Sequence, residues 1–277
     1  MTVESLPLEI IHPDHPRGSF RFALFDFDGT LSLIREGWQG VMIPLMVELL
    51  LDTHSGETTA ELETIVREFV GRLTGKQTIY QAMQLAEEIE KRGGKAADPL
   101  HYKWLYLERL QEHICHRLEG LRTGTISPQA MMVPGAEEIL QALRARGVTL
   151  FLASGTDHQF VCDECDALGL SSYFNGGIYG ALDDYQSFSK KILIARLLRD
   201  HALHGSELVT FGDGFVEIEN TKEANGVAVG VASDEVHREG IDAWKRHRLI
   251  EAGADIIIPH FRQYQTLVAY LFREEPC

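Results

Sequence analysis

Positive charge is scarce in this chain of 277 residues: 26 Lys and Arg face 41 Asp and Glu, a formal net charge of −15. Nucleic acid and anionic membranes are both bound through a basic face, so this balance argues against either as a partner. A small anion is not excluded, because a local cluster of donors and a metal ion can override the global field. Long apolar runs are missing too; none reaches the roughly 20 residues that cross a bilayer. The first twenty residues lack the basic segment followed by an apolar one that marks a secretion signal. Cysteine is sparse, limited to Cys115, Cys162, Cys165 and Cys277. Cys162 and Cys165 form a CxxC, but no second pair accompanies it and the surrounding DHQFVCDECDALGL reads as helix, so redox or zinc chemistry is not indicated. The pairs His12/His15, His113/His116 and His201/His204 carry no Cys or carboxylate pattern of zinc-site type. Internal repeats and low-complexity tracts are absent, and a reducing, cytoplasmic setting is the expectation.

What is present is an alternating pattern with one interruption. Short apolar runs at 21–27, 147–154, 176–181, 207–213, 226–232 and 254–259 are mostly apolar on consecutive positions. Consecutive rather than alternating burial indicates strands covered on both faces, as in a parallel sheet. Between them, residues 135–146 place Ile139, Leu140 and Leu143 on one helical face, with Gly147 as a stop. Residues 190–201 follow Ser189, a good N-cap, with apolar positions at 193, 194, 197 and 198. Strands alternating with such helices predict an α/β, Rossmann-like, doubly wound parallel sheet core formed by residues 1–33 and 134–277. Residues 34–133 break the alternation. Leu62, Ile65, Val66, Phe69, Val70 and Leu73 fall at helical spacing. Segments 38–51, 78–91 and 102–118 also read as helical, so an inserted helical cap domain is expected.

Ligands of a doubly wound sheet collect outside the carboxyl ends of its strands. The first run, FALFDFDGTL, ends in Asp26 and Asp28. The second is followed by Ser154, Gly155 and Thr156, and the fourth by GDGFVE with Asp213 and Glu217. Lys190 and Lys191 stand at the start of the intervening helix. Any one of these groups is common; their convergence on one sheet edge is not. Phosphoryl transfer suits the set, since a carboxylate attacking a phosphate needs a divalent cation, a lysine and hydrogen-bond donors against charge repulsion. Mg²⁺ takes oxygen ligands and keeps several waters, which a few carboxylates accommodate. Asp26 would be the nucleophile. Asp28 would protonate the leaving oxygen and then activate water. One intervening residue puts both side chains on the same side of an extended chain, and Gly29 allows a sharp turn. Lys190 is preferred to Lys191, which would point about 100° away on the helix.

In order, DFDGTL, FLASGT, a lysine at a helix start and GDGFVE resemble the four motifs of the haloacid dehalogenase-like phosphohydrolases. VPGAEEILQAL, LGLSSYFNGGIYG and GVAVGVASDE resemble the phosphoglycolate-phosphatase-like branch. The resemblance covers the whole chain, with residues 34–133 as a C1-type cap. It implies that Asp26 is nucleophile and metal ligand, and that Asp28 is acid/base and offers its backbone carbonyl to the metal. It also implies that Ser154 and the Gly155 amide bind phosphate, that Lys190 neutralises it, and that Asp213 completes the protein ligands of Mg²⁺. Glu217 stands where the family often has Asp, and its longer reach points to a water-mediated contact with the metal. Having both Asp26 and Asp28 points to a phosphate ester, since the founding dehalogenases and the phosphonatases lack the second Asp.

Other frames for these residues explain less. A DxD also suits a nucleotide-sugar glycosyltransferase, which leaves Ser154, Lys190 and GDGFVE without a role. A receiver domain is much shorter and has no reason to carry the insertion. The expected activity is hydrolysis of a small phosphorylated metabolite. The alternatives are a phosphomutase of the β-phosphoglucomutase kind and a scaffold that binds phosphorylated ligands without turnover. Specificity would reside in the cap, which closes to exclude water; the candidates are Arg35, Trp38, Lys76 and Gln77.

Overall fold

The computed structural model describes residues 8–185, 189–202 and 204–274, and the chain divides into two compact units, Met1–Glu36 with Gly120–Cys277 and Gly37–Glu119. Strands β1 (Glu9–Ile10), β2 (Phe22–Phe25), β3 (Thr149–Asp157), β4 (Gly177–Ala181), β5 (Leu208–Gly212), β6 (Val227–Val231) and β7 (Ile256–Ile258) form one sheet in the order β1-β7-β6-β5-β2-β3-β4. Every neighbouring pair is parallel except the short edge strand β1, which runs antiparallel to β7. After β2 come four helices, α1 (Gln39–Leu51), α2 (Thr59–Leu73), α3 (Thr78–Lys91) and α4 (Pro99–Thr123). The remaining helices alternate with strands: α5 (Ala136–Ala145), α6 (His158–Ala167), α7 (Lys190–Asp200), α8 (Phe215–Glu223), α9 (Ala243–Glu251) and α10 (Tyr264–Phe272). The fold is therefore α/β, with a mostly parallel sheet and a helical insertion after β2. Among the described residues no helix is long and apolar enough to cross a membrane.

The unbroken apolar character of FALF follows from burial on both faces. Phe22 and Leu24 join a cluster with Phe151, Ala153 and the α7 residues Leu193, Ile194 and Leu197. Phe25, pointing the other way along the strand, stacks on its parallel partner Phe211 with ring centroids 4.5 Å apart. Phe261 closes against both rings at 6.4 and 6.0 Å. β2 lies between β3 and β5, and, the edge strand β1 apart, the chain order runs outward from it in both directions. A strand in that position opens a crevice beyond its carboxyl end, and there the chain reaches Asp26.

Local signals account for several element ends. Gly147 adopts φ +75° just beyond α5, as a left-handed stop requires. The Ser189 hydroxyl accepts the Ile192 N–H and caps α7. Two elements depart from the sequence pattern. β3 continues past Ser154 to Asp157 through a register shift between Ala153 and Asp157, so the polar Ser-Gly-Thr stretch belongs to an irregular strand end rather than a loop. The two-residue β1 has no apolar run of its own and is defined only by pairing with β7. The chain leaves and rejoins the sheet unit through a short ladder. Leu33 N–H donates to the Met131 carbonyl at 2.8 Å, Val133 N–H donates to Leu31 at 2.9 Å, and Ser32 pairs antiparallel with Met132.

Within the helical unit, α2 buries Leu62, Val66, Phe69, Val70 and Leu73 and opens on a reciprocal capping box of Thr58 and Glu61. Arg92, at the end of α3, clasps Glu57 through Nε and Nη2 at 2.6 and 2.9 Å and Glu88 through Nη1 at 2.7 Å. The hydrogen bond from Arg92 holds the Glu57 carboxyl below its ordinary range. At Glu88, burial acts upward but Lys91 and Arg92 outweigh it, and the net shift is downward.

Two outcomes are expected. Phe211→Ala removes a fully buried ring from the Phe25–Phe261 cluster and should lower unfolding free energy by about 3–5 kcal/mol in urea titrations. The Arg92 clasp, with its carboxyl values lowered in the folded state, contributes fully above the unfolded glutamate value of about 4.3 and is lost as pH falls below it. The difference in thermal midpoint between wild type and Arg92→Met should therefore narrow as pH drops from about 7 to about 3.

Candidate active site

The last rung of β2 is the Asp26 N–H donating to the Phe211 carbonyl at 2.9 Å. The chain then turns about the Phe27 carbonyl, which accepts the amides of Thr30, Leu31 and Ser32 at 3.2, 2.8 and 2.9 Å. Gly29 permits the turn with φ +73°, and the space a Cβ would need there is filled by the Asp213 carboxylate. Asp213 follows β5 directly, so a glycine in one strand-end turn lets an acid from the neighbouring turn close in.

Lys190 opens α7 and is buried. Its Nζ lies 2.9 Å from Asp26 Oδ2 and 2.8 Å from Glu217 Oε2. The other Glu217 oxygen accepts the Gly214 N–H at 2.6 Å, which fixes the side chain at the start of α8. Asp26, Asp213 and Glu217 each place one carboxylate oxygen within 4.8 Å of the others. Asp28 sits in different company. Its Oδ2 accepts from Thr156 Oγ1 at 2.8 Å and from Ser154 Oγ at 3.4 Å, and Ser154 Oγ accepts the Thr156 N–H at 3.0 Å. Gly155 lies between these two residues in the irregular end of β3.

Burial pushes Asp26 well above its ordinary value; Lys190 pulls it down, while Glu217 and Asp213 push it further up. Burial likewise carries Asp213 up to about 6 against the pull of Lys245. Glu217 is disfavoured by burial too, but Lys190 wins and the net shift is downward. Burial acts against the Lys190 ammonium, yet Asp26 and Glu217 outweigh it and hold the group charged. The acids thus outnumber the ammonium that touches two of them. An all-oxygen donor set carrying excess negative charge fits a hard divalent cation such as Mg²⁺, and a bound cation would relieve the repulsion that raises Asp26. Asp26, Asp213 and Glu217 are the residues that would hold it.

Six of the residues singled out from sequence, Asp26, Asp28, Ser154, Lys190, Asp213 and Glu217, meet at this edge. Lys191 is exposed and pairs with Glu223 at 2.6 Å. Arg35 is buried and forks onto Glu164, with Nε 3.0 Å from both carboxylate oxygens and Nη2 2.7 Å from Oε1. Its Nε is also 3.8 Å from Asp28 Oδ1. Trp38, Lys76 and Gln77 belong to the helical unit, where Trp38 precedes α1, Lys76 lies 5.7 Å from the Tyr80 ring centroid and Gln77 precedes α3. Cys165 is a free thiol on the buried face of α6, and Cys162 is a free, half-buried thiol beside it. Sequence reasoning missed Glu164, Ser233, Glu235 and Lys245. Lys245 Nζ reaches Asp213 Oδ2 at 2.8 Å and Glu235 at 2.7 Å. The signal for two of them was the ASDE stretch at the carboxyl end of β6, which obeys the same strand-end rule as the other motifs.

Comparison with protein families matches residues 20–225 to the haloacid dehalogenase-like hydrolases. Comparison with curated proteins finds no match. Among solved structures, the chain resembles a predicted phosphoglycolate phosphatase from Haemophilus somnus 129PT at 16% identity and a TM-score of 0.59, covering 90% of this chain and 98% of that one. A hydrolase of the same family from Deinococcus radiodurans R1, solved with bound phosphate and sodium, gives 16% identity and 0.55, covering 94% and 100%. A putative β-phosphoglucomutase from Bacteroides vulgatus gives 14% and 0.59, covering 91% and 90%. At these identities the likeness is one of fold.

Removing one member of the buried Arg35–Glu164 pair leaves the other charge uncompensated. Arg35→Met should cost about 3–5 kcal/mol of unfolding free energy in urea titrations.

Proposed function

Because the chain belongs to the haloacid dehalogenase-like hydrolases, we propose that it is a Mg²⁺-dependent phosphomonoesterase acting on a small phosphorylated metabolite. The observation that carries the proposal is the pairing of two acids in contrasting surroundings. Asp26 is buried against Lys190 beside Asp213 and Glu217, while Asp28 is held by the hydroxyls of Ser154 and Thr156. Lys190, and a cation when bound, favour the carboxylate form that Asp26 needs for attack, while the two hydroxyls orient Asp28 for proton transfer. A solved protein of the same fold holds phosphate, which supports the choice of substrate class.

In this mechanism an Asp26 oxygen attacks phosphorus and the bond to the ester oxygen breaks. Asp28 gives its proton to that oxygen, and the alcohol leaves. Asp28, now a carboxylate, takes a proton from water; the hydroxide attacks phosphorus, the bond to Asp26 breaks and orthophosphate departs. Ser154, the Gly155 amide and Lys190 stabilise the charge on the phosphoryl oxygens. When bound, Mg²⁺ supplies further neutralisation of the phosphoryl group. Glu217, which meets Lys190 and the Gly214 amide, holds the lysine and completes the acidic edge. We assign substrate selection to the helical unit, with Trp38, Lys76 and Gln77 as its candidate residues, because the groups gathered at the sheet edge address the phosphate alone.

The expected result is release of orthophosphate from an aryl phosphate that depends on Mg²⁺ and needs no bisphosphate activator, which separates hydrolysis from mutase transfer. Asp26→Asn should lower the rate by at least about 10³-fold and Asp28→Asn by about 10²–10⁴-fold. Tight binding of phosphorylated ligands with no phosphate release across a panel of esters would sink the enzyme reading and leave a scaffold.

A further inference from the structure

Lys245 is a buried cation that the four strand-end motifs do not include. Lys245, the third residue of α9, lies 2.8 Å from Asp213 Oδ2, 2.7 Å from Glu235 Oε1 and 3.2 Å from Ser233 Oγ. An ammonium has three N–H bonds, so this set is complete. The Ser233 hydroxyl in turn donates to the Gly29 carbonyl at 2.6 Å. Lys245 is set in place from below: the Asp242 side chain caps α9 by accepting the Lys245 N–H at 2.8 Å. The segment between β6 and α9 is pinned by the Asp242 N–H donating to the Ala232 carbonyl at 2.9 Å and by the Ser233–Ile241 bridge.

We propose that Lys245 is a positioning residue for the metal site: with Ser233 it ties the Asp213 carboxylate to the Asp28–Gly29 turn, so that two strand ends bearing metal-binding oxygens keep their spacing before an ion arrives. The inference rests on the Mg²⁺-dependent reading above. Mg²⁺ demands near-octahedral geometry and gives up water reluctantly, so ligands held in advance bind it better than ligands that must be gathered. Partners that orient metal ligands carry a large share of affinity for that reason. The opposite role, competition with the ion for the same carboxylate, is disfavoured by the geometry. The ammonium takes one of two Asp213 oxygens, shares its charge with Glu235, and sits on the side where Gly29 and Ser233 pack.

The test is calorimetric titration of Mg²⁺ into metal-free wild type, Lys245→Met and Ser233→Ala, with the Mg²⁺ dependence of phosphate release measured alongside. The expected result is a dissociation constant for Mg²⁺ raised about tenfold or more in Lys245→Met, and raised less in Ser233→Ala. The maximal rate at saturating Mg²⁺ should fall by less than the affinity does, a split that general loss of structure would not produce. An unchanged or tighter constant in Lys245→Met overturns the proposal, the tighter one in favour of competition. Should Lys245→Met fail to fold by near-ultraviolet circular dichroism, an unchanged constant in Ser233→Ala overturns it. If wild type takes up no Mg²⁺, the metal reading itself falls and the inference with it. Uptake that is equal in wild type and variants removes the inference alone.

Discussion

Asp26, Asp213 and Glu217 hold carboxylate oxygens within 4.8 Å of one another at a largely buried sheet edge, and the groups around them are arranged to answer that repulsion. At an effective dielectric constant of about 20, two unit charges about 4 Å apart interact by about 4 kcal/mol, more than most side chains contribute to stability. The crowding persists because two lysines arrive from helices that begin at other strand ends. Lys190 stands between Asp26 and Glu217, and Lys245 stands against Asp213. A parallel sheet dictates where this can happen. Both faces are covered by apolar packing, as at Phe22 and Phe25 of β2, so polar groups can meet only beyond the strand ends.

The same edge gives two acids, one residue apart, unlike surroundings. Asp26 faces an ammonium and two further carboxylates, whereas Asp28 faces hydroxyls, with Arg35 further off. Phe27 between them is fully buried, which anchors the turn while its carbonyl gathers three amides. The backbone thus fixes the direction of both side chains before either meets a ligand, and a group held in advance has less to reorganise in a reaction.

Much of this was legible in the sequence because it is written in local chemistry. FALF reads as a strand buried on both faces, GDGFVE as a strand end, Ser189 and Gly147 as helix punctuation. What escaped was decided by distance along the chain. Lys245 lies in AWKRHRLIE beside Arg246 and Arg248, and no local pattern sets it apart from them; only the fold picks out the one that reaches Asp213. Glu164 sits in an acidic helix and becomes a buried partner only because Arg35, more than a hundred residues earlier, lies beneath it. The extension of β3 through Ser154 and Thr156 depends on pairing with β4, a non-local contact that strand-forming tendency does not foretell.

The ladder between residues 31–33 and 131–133 has a further meaning. Its hydrogen bonds join the two ends of the inserted segment inside the sheet unit, so the whole insertion is topologically a loop closed by that ladder within the crossover from β2 to β3. Closing a loop costs free energy that grows only with the logarithm of its length, about 0.6 kcal/mol for each doubling. The parallel register of β2 with β3 is therefore nearly indifferent to what the loop contains. A module attached in this manner can be lengthened, trimmed or exchanged while Asp26, Lys190 and Asp213 keep their places. Changes in the insertion are thereby uncoupled from the geometry of the sheet edge.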